Sequence, residues 1–130
     1  MLFPQHPVIL RGGGDLATGV AYRLHTAGFP VMVLELANPL VVRRKVALAT
    51  AVLQNEITVE TMTAQRASTV DEALDLAYSG KIPVLVAPEF APISEQLAAA
   101  ATGRQPILVD ARMAKRNIDT QINQAKLVIA

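Results

Sequence analysis

Short runs of apolar residues alternate along this chain with segments in which apolar residues recur at helical spacing. The runs contain no polar residue, which is typical of strands buried on both faces of a parallel sheet. They occupy residues 8–10, 31–34, 83–87 and 106–109. The segments between them have the pattern of amphipathic helices. The alternation predicts an α/β fold, a three-layer Rossmann-like parallel sheet with helices on both faces.

The helical segments carry recognisable boundaries. Leu16, Ala17, Val20 and Ala21 predict the buried stripe of a first helix, which ends before a glycine and a proline. A capping box at Thr69-x-x-Glu72 begins the second clear helix, and Gly80 ends it. The third helix is predicted from Ser94 to Ala101.

Two stretches are less regular. Residues 46–53 mix β-branched residues with alanine and leucine, and we interpret them as a short helix. Residues 57–66 alternate apolar and polar positions, which predicts either a small hairpin inserted around Glu60 and Thr61 or two short irregular strands. Residues 127–130 indicate a last strand, which either closes an edge of the sheet or belongs to a longer polypeptide; we favour the latter.

A glycine-rich turn follows the first strand and begins the first helix. Gly12-x-Gly14-x-x-Ala17 matches the dinucleotide-binding fingerprint in its strand–turn–helix context, and Glu35 ends the second strand about 20 residues later, where that fold places the acid that binds ribose hydroxyls. Glycine lets the backbone approach a ligand, and a helix N-terminus attracts phosphate. The alternative is a tight β–α turn without a ligand. The candidate cofactor-binding residues are Arg11, Gly12, Gly13, Gly14, Asp15, Leu16 and Glu35.

Parallel strands bring the residues that follow them to one edge of the sheet, where ligands of open α/β folds bind. Besides the glycine turn and Glu35, that edge is expected to hold residues 88–89 and Asp110. Arg11 could bind a phosphate or pair with Asp15 or Glu35. Further basic and polar residues could hold a phosphate or carboxylate, or could simply face water. The additional candidates are Arg43, Arg44, Asp110, Lys115, Arg116 and Asn117.

Composition narrows the function classes. The 130 residues are 52 % hydrophobic and 18 % charged, with a net charge of +1, so neither disorder nor general binding to nucleic acid or a membrane surface is expected. Without cysteine, and with two histidines far apart in sequence, no metal site is predicted. The first residues lack the pattern of a signal peptide, and we expect a cytoplasmic protein. No catalytic residue is identified.

Ten blocks spread over the chain form a further pattern, namely residues 9–21, 23–25, 27–29, 34–35, 39–40, 43–44, 46–47, 51–52, 81–86 and 110–117. Together they resemble the YqeB-type accessory proteins, a family named for the maturation of selenium-dependent molybdenum hydroxylases. The resemblance implies one Rossmann-like domain over residues 1–130, forming the N-terminal part of a longer family architecture. It also implies partners: a molybdenum hydroxylase apoenzyme of the xanthine dehydrogenase type, or other maturation proteins.

Three functions follow as hypotheses. The first is an accessory factor that binds a phosphate-bearing nucleotide or the molybdenum cofactor, in its cytidine dinucleotide form, at the Gly12–Gly14 turn. The second is an NAD(P)-dependent oxidoreductase, suggested by the fingerprint together with Glu35. The third is a non-catalytic interaction domain that has kept the fold. A homodimer is expected if the last strand leaves an apolar edge.

Overall fold

A computed structural model describes residues 1–100 and 103–130. Its centre is a seven-stranded sheet in the order β3-β4-β5-β2-β1-β6-β7, and only the β3–β4 pair is antiparallel among the described strands. The strands are β1 (Val8–Arg11), β2 (Val31–Glu35), β3 (Glu56–Val59), β4 (Met62–Ala67), β5 (Ile82–Val86), β6 (Ile107–Asp110) and β7 (Leu127–Ile129). The predicted Rossmann-like α/β class is confirmed.

Helices cover both faces of this sheet. They are α1 (Asp15–Ala27), α2 (Ala51–Gln54), α3 (Val70–Tyr78) and α4 (Ala91–Ala100), with 3₁₀ turns at Arg44–Val46 and Leu48–Thr50. No helix in the described ranges has the length and apolar character needed to cross a membrane.

Alternate residues of the central strands build two separate cores, because side chains along a strand point to opposite faces. Val8 and Leu10 of β1 pack with α1 and α2 on one face. Ile9, between them, packs with α3 and α4 on the other face. The runs 8–10, 31–34 and 107–109 of these strands are therefore apolar at every position, as the sequence predicts, and a charged residue follows each run at the carboxyl end of its strand.

The hairpin and the capping box are confirmed. β3 and β4 pair antiparallel, and Glu60 adopts a positive φ of 54° in the connecting turn. The Thr69 hydroxyl accepts from the Glu72 N–H at 3.1 Å, and the Glu72 carboxylate accepts from Ser68 N–H at 3.0 Å. The stretch predicted as a short helix forms a 3₁₀ turn followed by the single turn of α2. β7 lies at the sheet edge beside β6.

Two predictions about helices were wrong in part. α4 begins at Ala91, not Ser94, because Ser94 N–H already donates to the Phe90 carbonyl at 2.8 Å and Pro92 is tolerated in the first turn. The predicted end at Ala101 lies outside the described residues. On α1, Leu16 and Val20 are exposed by 60 % and 37 %, since the helix packs inward through its smaller residues Ala17, Thr18 and Ala21.

The strand order reverses beside β1. After β1 the chain builds the sheet on the β2 side, and β6 then returns to the opposite edge of β1. Because β1 and β6 are parallel, the loops that follow them leave the sheet at the same end. Such a switch point is where open α/β folds form a binding crevice.

Candidate functional site

A cavity of about 570 Å³ opens at the carboxyl ends of β1, β2 and β6. Its volume is within the range of small-molecule binding sites. Its wall includes the glycine turn, the residues after β2 and the loop after β6. The predicted site residues in its lining are Arg11, Gly12, Gly14, Asp15, Leu16 and Glu35.

Two glycines of the turn have different physical roles. Gly12 has a φ of +99°, and a Cβ built on it would lie 3.1 Å from the Ala111 carbonyl oxygen in the loop after β6. Glycine at this position therefore permits the close approach of the two loops. Gly14 has a negative φ, and a Cβ there would meet no atom within 4 Å. Gly14 instead leaves backbone accessible at the cavity wall.

The back of the turn is fixed by the segment before α2. The Gly13 carbonyl accepts from Ala49 N–H at 2.8 Å, and the Thr18 hydroxyl accepts from Leu48 N–H at 3.0 Å. The same hydroxyl donates to the Gly14 carbonyl at 2.7 Å. These bonds are in the protein interior, so the turn has a fixed shape.

Three backbone donors of the turn belong to residues that line the cavity. Among the residues that the structure describes, none accepts a hydrogen bond from the N–H groups of Gly14, Asp15 or Ala17. Such groups at the start of a helix are the usual seat of an oxyanion. Leu16 N–H is satisfied locally by the Asp15 carboxylate at 3.0 Å.

Glu35 joins the turn to the end of β2. One carboxylate oxygen accepts from Gly13 N–H and the other from Leu36 N–H, both at 2.8 Å. Each oxygen keeps a further lone pair that can accept from a ligand hydroxyl. The two bonds hold the Glu35 carboxylate against the glycine turn, at the edge of the sheet where the sequence predicts it.

Arg43 lies close to the start of α1. Its Nε is 3.1 Å from Asp15 Oδ2, and the arginine side chain is 72 % exposed. An exposed pair of this kind contributes little to stability. The pair places Arg43, one of the predicted site residues, beside the glycine turn.

Arg11 is buried, with only 2 % of its surface exposed. The expected partners Asp15 and Glu35 do not bind it. Its guanidinium instead donates two hydrogen bonds to Asp119, at 2.7 and 3.2 Å, and one to the Pro88 carbonyl at 3.2 Å. It also lies 6.0 Å from the centre of the Phe90 ring. The charge is thus compensated by a residue far along the chain.

A second arginine completes a four-residue network. Arg112 binds both carboxylate oxygens of Asp110, at 2.9 and 2.7 Å, and one oxygen of Asp119 at 2.8 Å. The hydrogen bonds from Arg112, with a further one from the Thr120 hydroxyl, hold the pKa of the Asp110 carboxyl well below its usual range. The bonds from Arg11 and then Arg112 lower the pKa of Asp119 likewise. Asp110 raises the pKa of Arg112 in turn.

The remaining predicted site residues lie outside the cavity lining. Lys115 and Arg116 are exposed on the loop after β6, and Arg44 is exposed in the first 3₁₀ turn. Asn117 has a structural contact, because its side chain donates to the Thr120 carbonyl and accepts from Thr120 N–H. Asp110 lies behind the wall and positions Arg112. Within the described ranges, no cluster of three or more acidic or histidine side chains is placed to hold a metal ion.

Sequence reasoning missed Asp119 as a site residue and included Arg112 only as part of the 110–117 block. Both line the cavity. One feature of the sequence indicates such a network. Arg11 is a cation at the end of a buried strand, and a buried cation requires an anionic partner. Nothing local indicates which of the chain's acidic residues is that partner.

Comparison with known proteins supplies one relative. The chain is 42 % identical over 136 aligned positions to a protein from Escherichia coli (strain K12) with the printed name "Uncharacterized protein YqeB". The alignment includes all of this chain and 24 % of that relative, so the chain spans about a quarter of the relative's length. No protein-family model and no solved structure matches. The full length of this chain is therefore similar to that quarter of YqeB, in agreement with the resemblance of its sequence blocks.

Proposed function

We propose that this chain binds a phosphate-bearing nucleotide in the cavity at the switch point and acts as an accessory factor in molybdenum hydroxylase maturation. The observation that carries the binding is the glycine turn. Its front presents the N–H groups of Gly14, Asp15 and Ala17 to a cavity large enough for a nucleotide. Glu35, fixed beside the turn, supplies acceptors for ribose hydroxyls.

The maturation role has separate support. It follows from the resemblance to the YqeB-type accessory proteins, a resemblance that the similarity to YqeB supports. The ligand is then the molybdenum cofactor in its cytidine dinucleotide form, or another nucleotide of that system. The partner is the molybdenum hydroxylase apoenzyme or another maturation protein.

The second candidate function is that of an NAD(P)-dependent oxidoreductase, which the position of Glu35 at the end of β2 supports. A carboxylate at the end of β2 would accept from the ribose hydroxyls of NAD and would repel the additional phosphate of NADP. This function therefore predicts tighter binding of NAD than of NADP. It also predicts a change in nicotinamide absorbance in the presence of a substrate.

Thermal unfolding against a ligand panel tests the binding. The panel contains NAD, NADP, FAD, simple nucleotides and the cytidine dinucleotide cofactor. A ligand at 100 times its Kd adds about 2.7 kcal/mol to stability, which is readily measured. The Gly14→Val variant places a branched side chain on the accessible backbone and is expected to lose the shift. A panel without any shift, or a shift that Gly14→Val retains, would contradict binding at the turn.

Deletion of the gene tests the maturation role. Molybdenum hydroxylase activity in extracts should fall, and the wild-type gene should restore it while Gly14→Val should not. Unchanged activity in the deletion strain would contradict the role in maturation.

A further inference from the structure

The four-residue network in the cavity wall is asymmetric. Arg11, Arg112 and Asp110 each have little exposed surface, but the Asp119 side chain is 43 % exposed. Asp119 lies in the irregular loop between β6 and β7, next to Ile118, which is 61 % exposed. Asp119 is therefore the one accessible member of the network.

Each arginine has an anchor that does not depend on Asp119. Arg11 donates to the Pro88 carbonyl and packs near the Phe90 ring. Arg112 is bound by both oxygens of Asp110, which Thr120 also contacts. The two guanidinium groups would thus keep their places without Asp119. Both line the cavity, and Asp119 places a carboxylate oxygen between them, with Arg11 Nη1 at 2.7 Å and Arg112 Nη2 at 2.8 Å.

Two fixed guanidiniums that converge on one carboxylate form an oxyanion site, because their planar donors match the oxygens of carboxylate and phosphate groups. The charges agree with this. Two arginines and Asp110 alone leave one positive charge next to the cavity, and Asp119 neutralises it. Any other oxyanion with two suitably spaced oxygens would neutralise it as well.

We infer that Arg11 and Arg112 form an anion subsite that Asp119 occupies in the structure, and that a phosphate or carboxylate group of the ligand binds there in place of Asp119. The inference rests on the proposed binding function and makes it more specific. The ligand then carries two separate anionic groups, one at the start of α1 and one at the arginine pair. A neutral nucleoside or a ligand with one phosphate would use half of this site.

Calorimetric titration with inorganic phosphate and with acetate tests the subsite at constant ionic strength. Asp119→Ala should bind phosphate or acetate about tenfold more tightly than the wild type, because the competing carboxylate is gone. The anion with the larger gain identifies the chemical group. Adding Arg112→Lys to Asp119→Ala should abolish the gain, since lysine lacks the planar pair of donors. Lys115 is an exposed cation outside the cavity, so adding Lys115→Ala to Asp119→Ala should preserve the gain in anion affinity.

The double variant Asp119→Ala with Gly14→Val separates this inference from the proposed function. The gain in anion affinity should survive Gly14→Val, since the valine lies at the other anion seat. If the double variant loses the gain in anion affinity, the anion binds at the glycine turn and the subsite is overturned. Equal anion affinities of Asp119→Ala and the wild type would also overturn it. These titrations measure the binding of phosphate and acetate only. Their result can therefore be interpreted even if no nucleotide of the panel binds.

Asp119→Asn keeps the test decisive if Asp119→Ala does not fold. The amide preserves one acceptor for Arg11 while it removes the charge. Phosphate should raise the Tm of Asp119→Asn more than that of the wild type. An identical rise in both proteins would overturn the inference.

Discussion

The two loops that face each other across the cavity are held by different forces. The turn after β1, residues 12–14, is fixed by backbone hydrogen bonds and by the close approach that Gly12 permits. The loop after β6, residues 111–126, is attached mainly through the side chains of Asp110, Arg112 and Asp119. A backbone turn has one shape, but an ion pair can exchange its partner for another ion. The first loop is therefore a rigid binding element, whereas the second loop is held by an ion pair that a ligand anion can replace.

The largest expected effect is that of Gly12→Ala. The substitution forces a side chain onto a residue with φ of +99° and pushes its Cβ against the Ala111 carbonyl. We expect a loss of about 3 kcal/mol in the free energy of unfolding, measured by urea denaturation. Gly14→Ala is the matched control, with an expected change within about 0.5 kcal/mol because its Cβ has open space. Equal losses in both variants would contradict the different roles of the two glycines.

Thr18→Val should have the next largest effect. It removes the hydroxyl that accepts from the buried Leu48 N–H and leaves that donor unsatisfied. We expect about 2 kcal/mol of destabilisation in the same denaturation experiment. Thr18→Ser keeps the hydroxyl and should lose less. A valine variant as stable as the serine variant would show that this bond does not fix the turn.

Acid titration of stability examines the loop after β6. The folded-state pKa of Asp110 is lowered, so its contribution is fully present above the unfolded-state value near 3.9 and is lost as pH falls below it. The free energy of unfolding should be steady from about pH 7 to pH 5 and should decline below about pH 4. Asp110→Asn should be about 2 kcal/mol less stable at pH 7, with the difference shrinking in acid. A difference that stays constant down to pH 3 would contradict the ionic character of the attachment.

The smallest effect is expected for Lys115→Ala combined with Arg116→Ala. Both side chains are exposed and lie outside the cavity lining. We expect stability to change by less than about 0.5 kcal/mol and the affinity for any nucleotide of the panel to stay the same. A clear loss of affinity, measured by calorimetry, would place part of the ligand outside the cavity.

The same contrast explains what the sequence could predict. The glycine turn, the capping box at Thr69 and the hairpin depend on residues close together in the chain, and their patterns could be interpreted directly. The sheet followed from the uninterrupted apolar runs. Arg11 and Asp119 are 108 positions apart, and no local pattern connects them. The start of α4 was misplaced because Ser94 has the residue type of a cap but lies inside the helix.

The inward stripe of α1 was mispredicted for a related reason. Spacing places Leu16 and Val20 on the apolar face, but the long-range contact of Thr18 with Leu48 turns a face of small residues inward. Leu16 then lines the cavity. A hydroxyl that bonds to a distant backbone cannot be distinguished from an exposed threonine by periodicity alone.

Backbone amide chemical-shift mapping can locate the bound nucleotide on this chain. The uniformly labelled chain would be titrated with the nucleotide of the panel that gives the largest thermal shift. If the nucleotide binds at the glycine turn, the largest changes should occur at residues 12–17 and at Glu35 and Leu36, the amides around that turn. Changes concentrated instead around Thr69–Asp71 and Gln96, which line a second cavity between α3 and α4, would contradict it.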